Sequence, residues 1–178
     1  GLVGSEMCIR DRYAGMSFVD FAHLKERNIK NGILDYNRQK TGTPMRLEIL
    51  DTAELMRKEL MGDKRPASGY LFPFLSGTKT GYEAYLEYNA ALSRFNRNLK
   101  ALKKAAGIAS DVTSYTIRHS FAMALKEQNV PIEMISELLG HKSIKTTQIY
   151  LRSFSLEKMT EVNSTCFGCV YNYVSKVG

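Results

Sequence analysis

From Met16 onward, apolar residues recur at helical spacing, with Phe18, Phe21, Ala22 and Leu24 on one face through about Arg27. The period then shortens. Gly32 to Ile49 reads as a β-hairpin, with Ile33–Asn37 and Met45–Ile49 as strands around the turn-forming run Lys40-Thr41-Gly42-Thr43. Asp51, with Glu54 three positions on, has the form of a capping box and opens a predicted helix that carries Leu55, Met56 and Leu60 and stops near Gly62. A loop rich in Gly, Pro and Ser runs on to Gly81, pinned by the apolar stretch Tyr70 to Leu75. A loop of this length is expected to be packed or functional.

The second half is helical. A long amphipathic helix is predicted over Tyr82 to Ala106, closed by Gly107. Thr113 or Ser114 caps the next, through about Gln128, and Pro131 suits the first turn of another that ends at Gly140. The connector His141 to Ser143 leads to a last helix carrying Tyr150. The fold class expected is mainly α with a small antiparallel sheet (α+β), in one domain over residues 13–163. Residues 1–12 share no periodicity with it and read as a non-native, adapter-like extension. Residues 164–178 also lack a period. They read as a short strand, a disordered end or a segment that docks on another subunit.

Composition adds a partner class. The 178 residues carry a formal charge of +7 and a pI near 9.3, and 44% are hydrophobic, as in a globular domain with its own core. Clustered cations gain free energy by releasing counterions from nucleic acid. Arg94, Arg97, Lys100, Lys103 and Lys104 lie mostly opposite Leu92, Phe95, Leu99 and Leu102 on the long helix, which makes that face either simply solvated or a track for phosphates. Lys142 and Lys145 extend the candidate DNA-binding set, and Arg38, Lys40 and Arg46 make the hairpin cationic. Cys8, Cys166 and Cys169 are too few and too scattered for a disulfide framework and fit a reducing cytoplasm. The Cys166-x-x-Cys169 pair has no second pair to complete a zinc site. No apolar run approaches the roughly 20 residues that span a bilayer, nor is there a secretory leader, so a soluble cytoplasmic protein is expected.

The chemistry concentrates between Tyr115 and Tyr150. Arg118 is followed 23 positions on by His141 and nine further by Tyr150. An arginine fork matches two phosphate oxygens at once, and an imidazole projecting from a turn can donate to a non-bridging oxygen. A tyrosine becomes a nucleophile where a neighbour takes its proton or a cation stabilises the phenolate. Together they can hold, polarise and attack a phosphodiester. A second reading takes Pro131 to Arg152 as a helix-turn-helix regulator. That reading leaves Arg118 and Lys40 unexplained and offers little beyond Gln148 to read bases.

Thr113-Ser-Tyr-Thr-Ile-Arg-His-Ser-Phe-Ala122 and Leu138-Leu-Gly-His-Lys-Ser-Ile-Lys-Thr-Thr-Gln-Ile-Tyr150 resemble the catalytic domain of tyrosine recombinases, the phage integrase family, over about Ala14 to Phe154. The resemblance implies that Tyr150 attacks the scissile phosphate of double-stranded DNA, giving a 3′-phosphotyrosyl link and a free 5′-hydroxyl without metal or nucleotide cofactor. It implies Arg118 as the second active-site arginine, His141 as the late-motif histidine and Lys40 as general acid, in a tetramer on DNA. Two positions depart from the pattern. Ser17, in Gly15-Met16-Ser17, stands where most members have the first arginine, as in a subgroup of mobile-element integrases, and Tyr115 stands where many have a histidine. Ser17 retains a hydroxyl donor and Tyr115 a phenol that can bond phosphate or relay a proton, but neither replaces a guanidinium. Arg38 and Arg46 are the nearest substitutes in sequence. The family's usual preceding helical domain has no counterpart here, so the chain reads as a fragment.

Overall fold

A computed structural model of the chain describes residues 13–49, 51, 58, 69–107, 109 and 111–151. In order these form α1 (Phe18–His23), a 3-10 turn (Glu26–Asn28), β1 (Ile29–Lys30), β2 (Ile33–Asn37), β3 (Pro44–Glu48), α2 (Gly81–Ala105), α3 (Ser114–Glu127), α4 (Ile132–Leu138) and α5 (Ile144–Tyr150). The mainly α architecture with a small antiparallel sheet, β1-β2-β3, is the one the pattern predicts. The tail, the Cys166/Cys169 pair and the first twelve residues lie outside the described residues.

The sheet follows its alternation. Leu34, Tyr36 and Met45 are buried while Asp35, Asn37 and Arg46 face solvent, and the register pairs Leu34 with Leu47, Asp35 with Arg46 and Tyr36 with Met45. β3 begins and ends one residue earlier than its pattern suggests, and β1 is an added strand too short to have a readable period.

α1 is shorter than its apolar spacing implies, because another segment competes for its last backbone groups. Leu71 N–H donates to the Leu24 carbonyl at 2.7 Å, Glu26 N–H donates to Gly69 O at 3.3 Å, and Lys25 bridges Tyr70. The loop that packs the helix therefore also ends it, with Leu24 already extended. Asp51 is itself helical rather than a cap residue. Its partner Glu54 lies outside the described residues.

α1 joins two cores. Phe21 and Leu24 enter one with Tyr13, Met16, Leu34, Tyr36, Met45, Leu71 and Phe72, whereas Phe18 and Ala22 enter another with Leu75, Ala91, Phe95, Leu99 and Ile117. A third holds α3, α4 and the end of α5 together through Ala122, Ile135, Leu139 and Leu151. Thr113 caps α3 reciprocally: its hydroxyl accepts from Thr116 N–H at 3.3 Å while its own N–H donates to the Thr116 hydroxyl at 2.6 Å. Pro131 immediately precedes the first residue of α4 rather than occupying its first turn.

α4 closes with a Schellman motif. Gly140, at φ 61°, donates to Glu137 O at 2.8 Å, and His141 N–H donates to Ser136 O at 3.0 Å. That turn aims the His141 connector back at the sheet. Phe21, 1% exposed with its ring centroid 4.1 Å from that of Phe72, is the most buried aromatic residue of the first core. Phe21→Ala is expected to lower the unfolding free energy by about 3–5 kcal/mol, read as a shift in the urea midpoint at constant slope.

Candidate active site

Arg118 is buried rather than open to solvent. Its guanidinium donates to Gly15 O at 2.9 Å through one nitrogen and to Leu139 O through the other. Arg38, also buried, donates to Gly140 O at 2.8 Å and through Nε to Asp20 Oδ2 at 3.3 Å. Two guanidiniums are thereby moored to consecutive carbonyls at the C-terminal end of α4.

Asp20 balances part of this charge. Besides Arg38 it accepts Gln39 N–H at 2.7 Å and the Ser17 hydroxyl. Ser17 thus orients a carboxylate that in turn orients an arginine. Arg46, the other candidate substitute, is exposed on the outer face of β3 opposite Asp35, so Arg38 is the guanidinium at this site.

The pKa shifts follow from the same proximity. Burial first, and the charge of Arg38 second, push the Arg118 guanidinium below the usual arginine value, with Tyr150, Tyr36 and Asp20 opposing. Burial, then Arg118, then Arg38 push His141 down to about 4. The imidazole is therefore neutral at pH 7, with Nδ1 2.9 Å from the Thr147 hydroxyl. Tyr36 is pushed up, by burial and then by Asp20, so its phenol stays neutral beside the two arginines.

Tyr150, at the end of α5, meets three rings at steep angles: His119 at 5.1 Å, Tyr115 at 5.5 Å and His141 at 5.9 Å between centroids. Tyr115 is exposed and packs edge-on against Tyr150. Arg118, His141 and Tyr150 come together as their spacing suggests. Lys40 is exposed in the hairpin turn and does not pack into the cluster. Arg94, Arg97, Lys100 and Lys104 are exposed on α2, Lys142 is exposed in the connector before α5 and Lys145 on α5, whereas Lys103 pairs with Asp111 at 3.0 Å. Among the described residues no group of acids, histidines or cysteines is placed to hold a metal ion, and no helix is long and apolar enough to cross a membrane.

Asp20, Tyr36 and His119 carry no role in the sequence reading. A lone carboxylate set among Phe18, Val19, Phe21 and Ala22 and a tyrosine in phase with Leu34 were signals for the first two. His119 adjoins Arg118, but its neighbour Tyr150 is visible only in the fold.

Comparison with known proteins identifies the family and the fold. Residues 13–157 match the phage integrase family, and the chain belongs to that family. It is similar to the tyrosine recombinase XerD of Lacticaseibacillus casei, 52% identical over 54 residues covering 30% of this chain and 18% of that protein. It is also similar to the tyrosine recombinase XerC of Rickettsia typhi (strain ATCC VR-144 / Wilmington), 41% identical over 75 residues covering 42% and 24%. The matches thus span less than a quarter of these relatives' lengths. Among solved structures, the XerA recombinase superposes with a TM-score of 0.64 at 20% identity, over 92% of this chain and 62% of that one. The Tn1549 transposon integrase, in complex with transposon right end DNA, gives 0.61 at 13% identity, over 90% and 57%. At these identities the likeness establishes the fold.

The His141 shift has a testable sign. With a folded pKa near 4 against 6.5 for a free imidazole, the unfolded chain takes up the proton first. This histidine's contribution to stability is therefore complete above pH 6.5 and is lost as the pH falls towards 4. In an NMR titration the His141 ring is expected to move with a midpoint near 4. His141→Gln should flatten the acid limb of the stability curve between those values.

Proposed function

We propose that this chain carries the catalytic segment of a site-specific DNA recombinase in which Tyr150 is the nucleophile and Arg38 takes the place of the missing first arginine. The observation that carries the reading is the convergence of Arg38, Arg118, His141 and Tyr150 from four separate segments around one spot. The Tyr150 oxygen attacks phosphorus, its proton is released, and the bond to the 5′-oxygen breaks. The products are a 3′-phosphotyrosyl link and a 5′-hydroxyl that can later attack such a link and re-form the diester.

Arg118 and Arg38 face the non-bridging oxygens, where fixed cations in a water-poor site stabilise charge that grows in the transition state. Neutral His141 donates a hydrogen bond there without adding a third repulsive charge. Lys40, on the turn two residues after Arg38, protonates the leaving oxygen, which requires the hairpin tip to approach the DNA. The exposed cations of α2, with Lys142 and Lys145, track phosphates of the duplex. Joining two duplexes calls for four catalytic segments, hence a tetramer on DNA, and the cytoplasm is the compartment that fits a DNA substrate and the reduced cysteines expected from the sequence. No finding favours the helix-turn-helix regulator.

The test is single-turnover cleavage of nicked suicide duplexes from the ends of the mobile element that encodes the chain. A covalent adduct is expected, and Tyr150→Phe should abolish it. Arg38→Ala should slow adduct formation by about 10²–10³-fold, on the order of 3 kcal/mol for one lost oxyanion donor, whereas Arg46→Ala should stay within about twofold. DNA binding without an adduct would leave a non-cutting binder. Equal losses at Arg38 and Arg46 would remove Arg38 from the site.

A further inference from the structure

Tyr150 is the last residue of a seven-residue helix, too short to hold its own end rigidly. α5 is anchored on one side by Thr147, 0% exposed, and beyond its end by Leu151, whose carbonyl accepts from Lys126 Nζ at 3.1 Å. On the other side a groove lined by Tyr115, Thr116, His119, Met123, Ile149 and Tyr150 opens between α3 and α5. Packing of Tyr150 against the third core holds one side of its ring, and the backbone leaves the side towards the groove open.

The rings supply what the backbone leaves open. Tyr115 and His119 are four residues apart on α3 and so share a face, one turn from each other. Both present to Tyr150 at steep angles, 79° and 71°, the edge-to-face arrangement that an aromatic quadrupole favours. His119 is the nearest of the three rings around the phenol, and Arg118, its neighbour in sequence, interacts electrostatically with that phenol. One turn of α3 thus offers both a cation for the attacking oxygen and a clasp for the ring that bears it.

We propose that His119, with Tyr115, is a positioning residue that clasps the Tyr150 ring and holds the nucleophile against Arg118 of the same chain. The inference rests on the reading of Tyr150 as nucleophile. It assigns Tyr115 a place beside that ring instead of a direct bond to phosphate. Fixing the attacking group close to its target raises the rate without changing how DNA is bound, because the gain lies in orientation.

The test separates this from the cleavage chemistry itself. With 3-fluorotyrosine incorporated, the Tyr150 ¹⁹F resonance is identified by its loss in Tyr150→Phe. His119→Ala is expected to move that resonance towards the position of free fluorotyrosine while those of tyrosines distant from α3 stay in place, which shows the variant folded. His119→Phe, which keeps a ring, should restore it. A Tyr150 resonance that does not move in His119→Ala, or that moves equally in His119→Phe, would overturn the clasp. This readout needs no DNA, so a chain that forms no adduct would sink the proposed chemistry and leave the clasp to be judged by the spectrum. With nicked suicide duplexes, His119→Ala should form adduct at least tenfold more slowly at saturating DNA, about 1.4 kcal/mol. The dissociation constant should be unchanged, and His119→Phe should be within about threefold of the parent chain. A wild-type rate in His119→Ala would overturn the proposal.

Discussion

Two buried guanidiniums held side by side are the constraint on which the rest of this structure depends. Like charges in a poorly solvated place repel, and each also loses hydration. The chain offsets this with the C-terminal end of α4, whose last carbonyls carry partial negative charge and have no partners within the helix. Leu139 O takes Arg118 and Gly140 O takes Arg38, while Asp20 supplies a formal negative charge against Arg38. The depressed pKa values of Arg118 and His141 reflect their burial first and, second, the repulsion between cations that these contacts do not cancel.

That mooring dictates backbone shape elsewhere. Gly140 must be left-handed for the Schellman turn, and a Cβ there would stand 2.5 Å from Arg38 Cδ and 2.6 Å from Met45 Sδ. Gly15 is in the same position opposite α3: it presents its carbonyl to Arg118, and a Cβ on it would meet the Phe121 ring at 2.6 Å. In both places the arginine needs a carbonyl where no side chain fits. Each glycine thus combines a left-handed backbone with a close approach that leaves its own or its neighbour's carbonyl to a guanidinium.

Much of this was legible in the sequence, and the parts that were not share a cause. Helices α2 to α5 were readable because caps, glycines and apolar spacing are local signals, and Arg118, His141 and Tyr150 were readable because their spacing spans those same elements. The choice between Arg38 and Arg46 was latent in strand alternation: Leu34 and Tyr36 point inward, which puts residue 38 in phase, while Met45 inward turns Arg46 out. Asp20 and His119 were harder, since what defines them is a neighbour some 20 or 30 positions away. The end of α1 was misjudged for the same reason, being set by Gly69 and Leu71 in the loop rather than by anything near His23.

On the proposed reading, the position of Arg38 also changes what the hairpin is for. In the family pattern implied by the resemblance, the first arginine comes from the segment that here holds Ser17, and the hairpin contributes a lysine. In this chain α1 keeps only the carboxylate and the serine that orients it, and the guanidinium arrives from the end of β2. On the proposed reading, one phosphate ligand and the proton donor Lys40 then lie two residues apart on the same hairpin. Docking of that hairpin against Asp20 and Gly140 would assemble charge stabilisation and leaving-group protonation together. A displacement of the hairpin that moved Lys40 would also loosen Arg38. The cleavage step would therefore depend on a single tertiary contact more strongly than where the two functions come from separate elements.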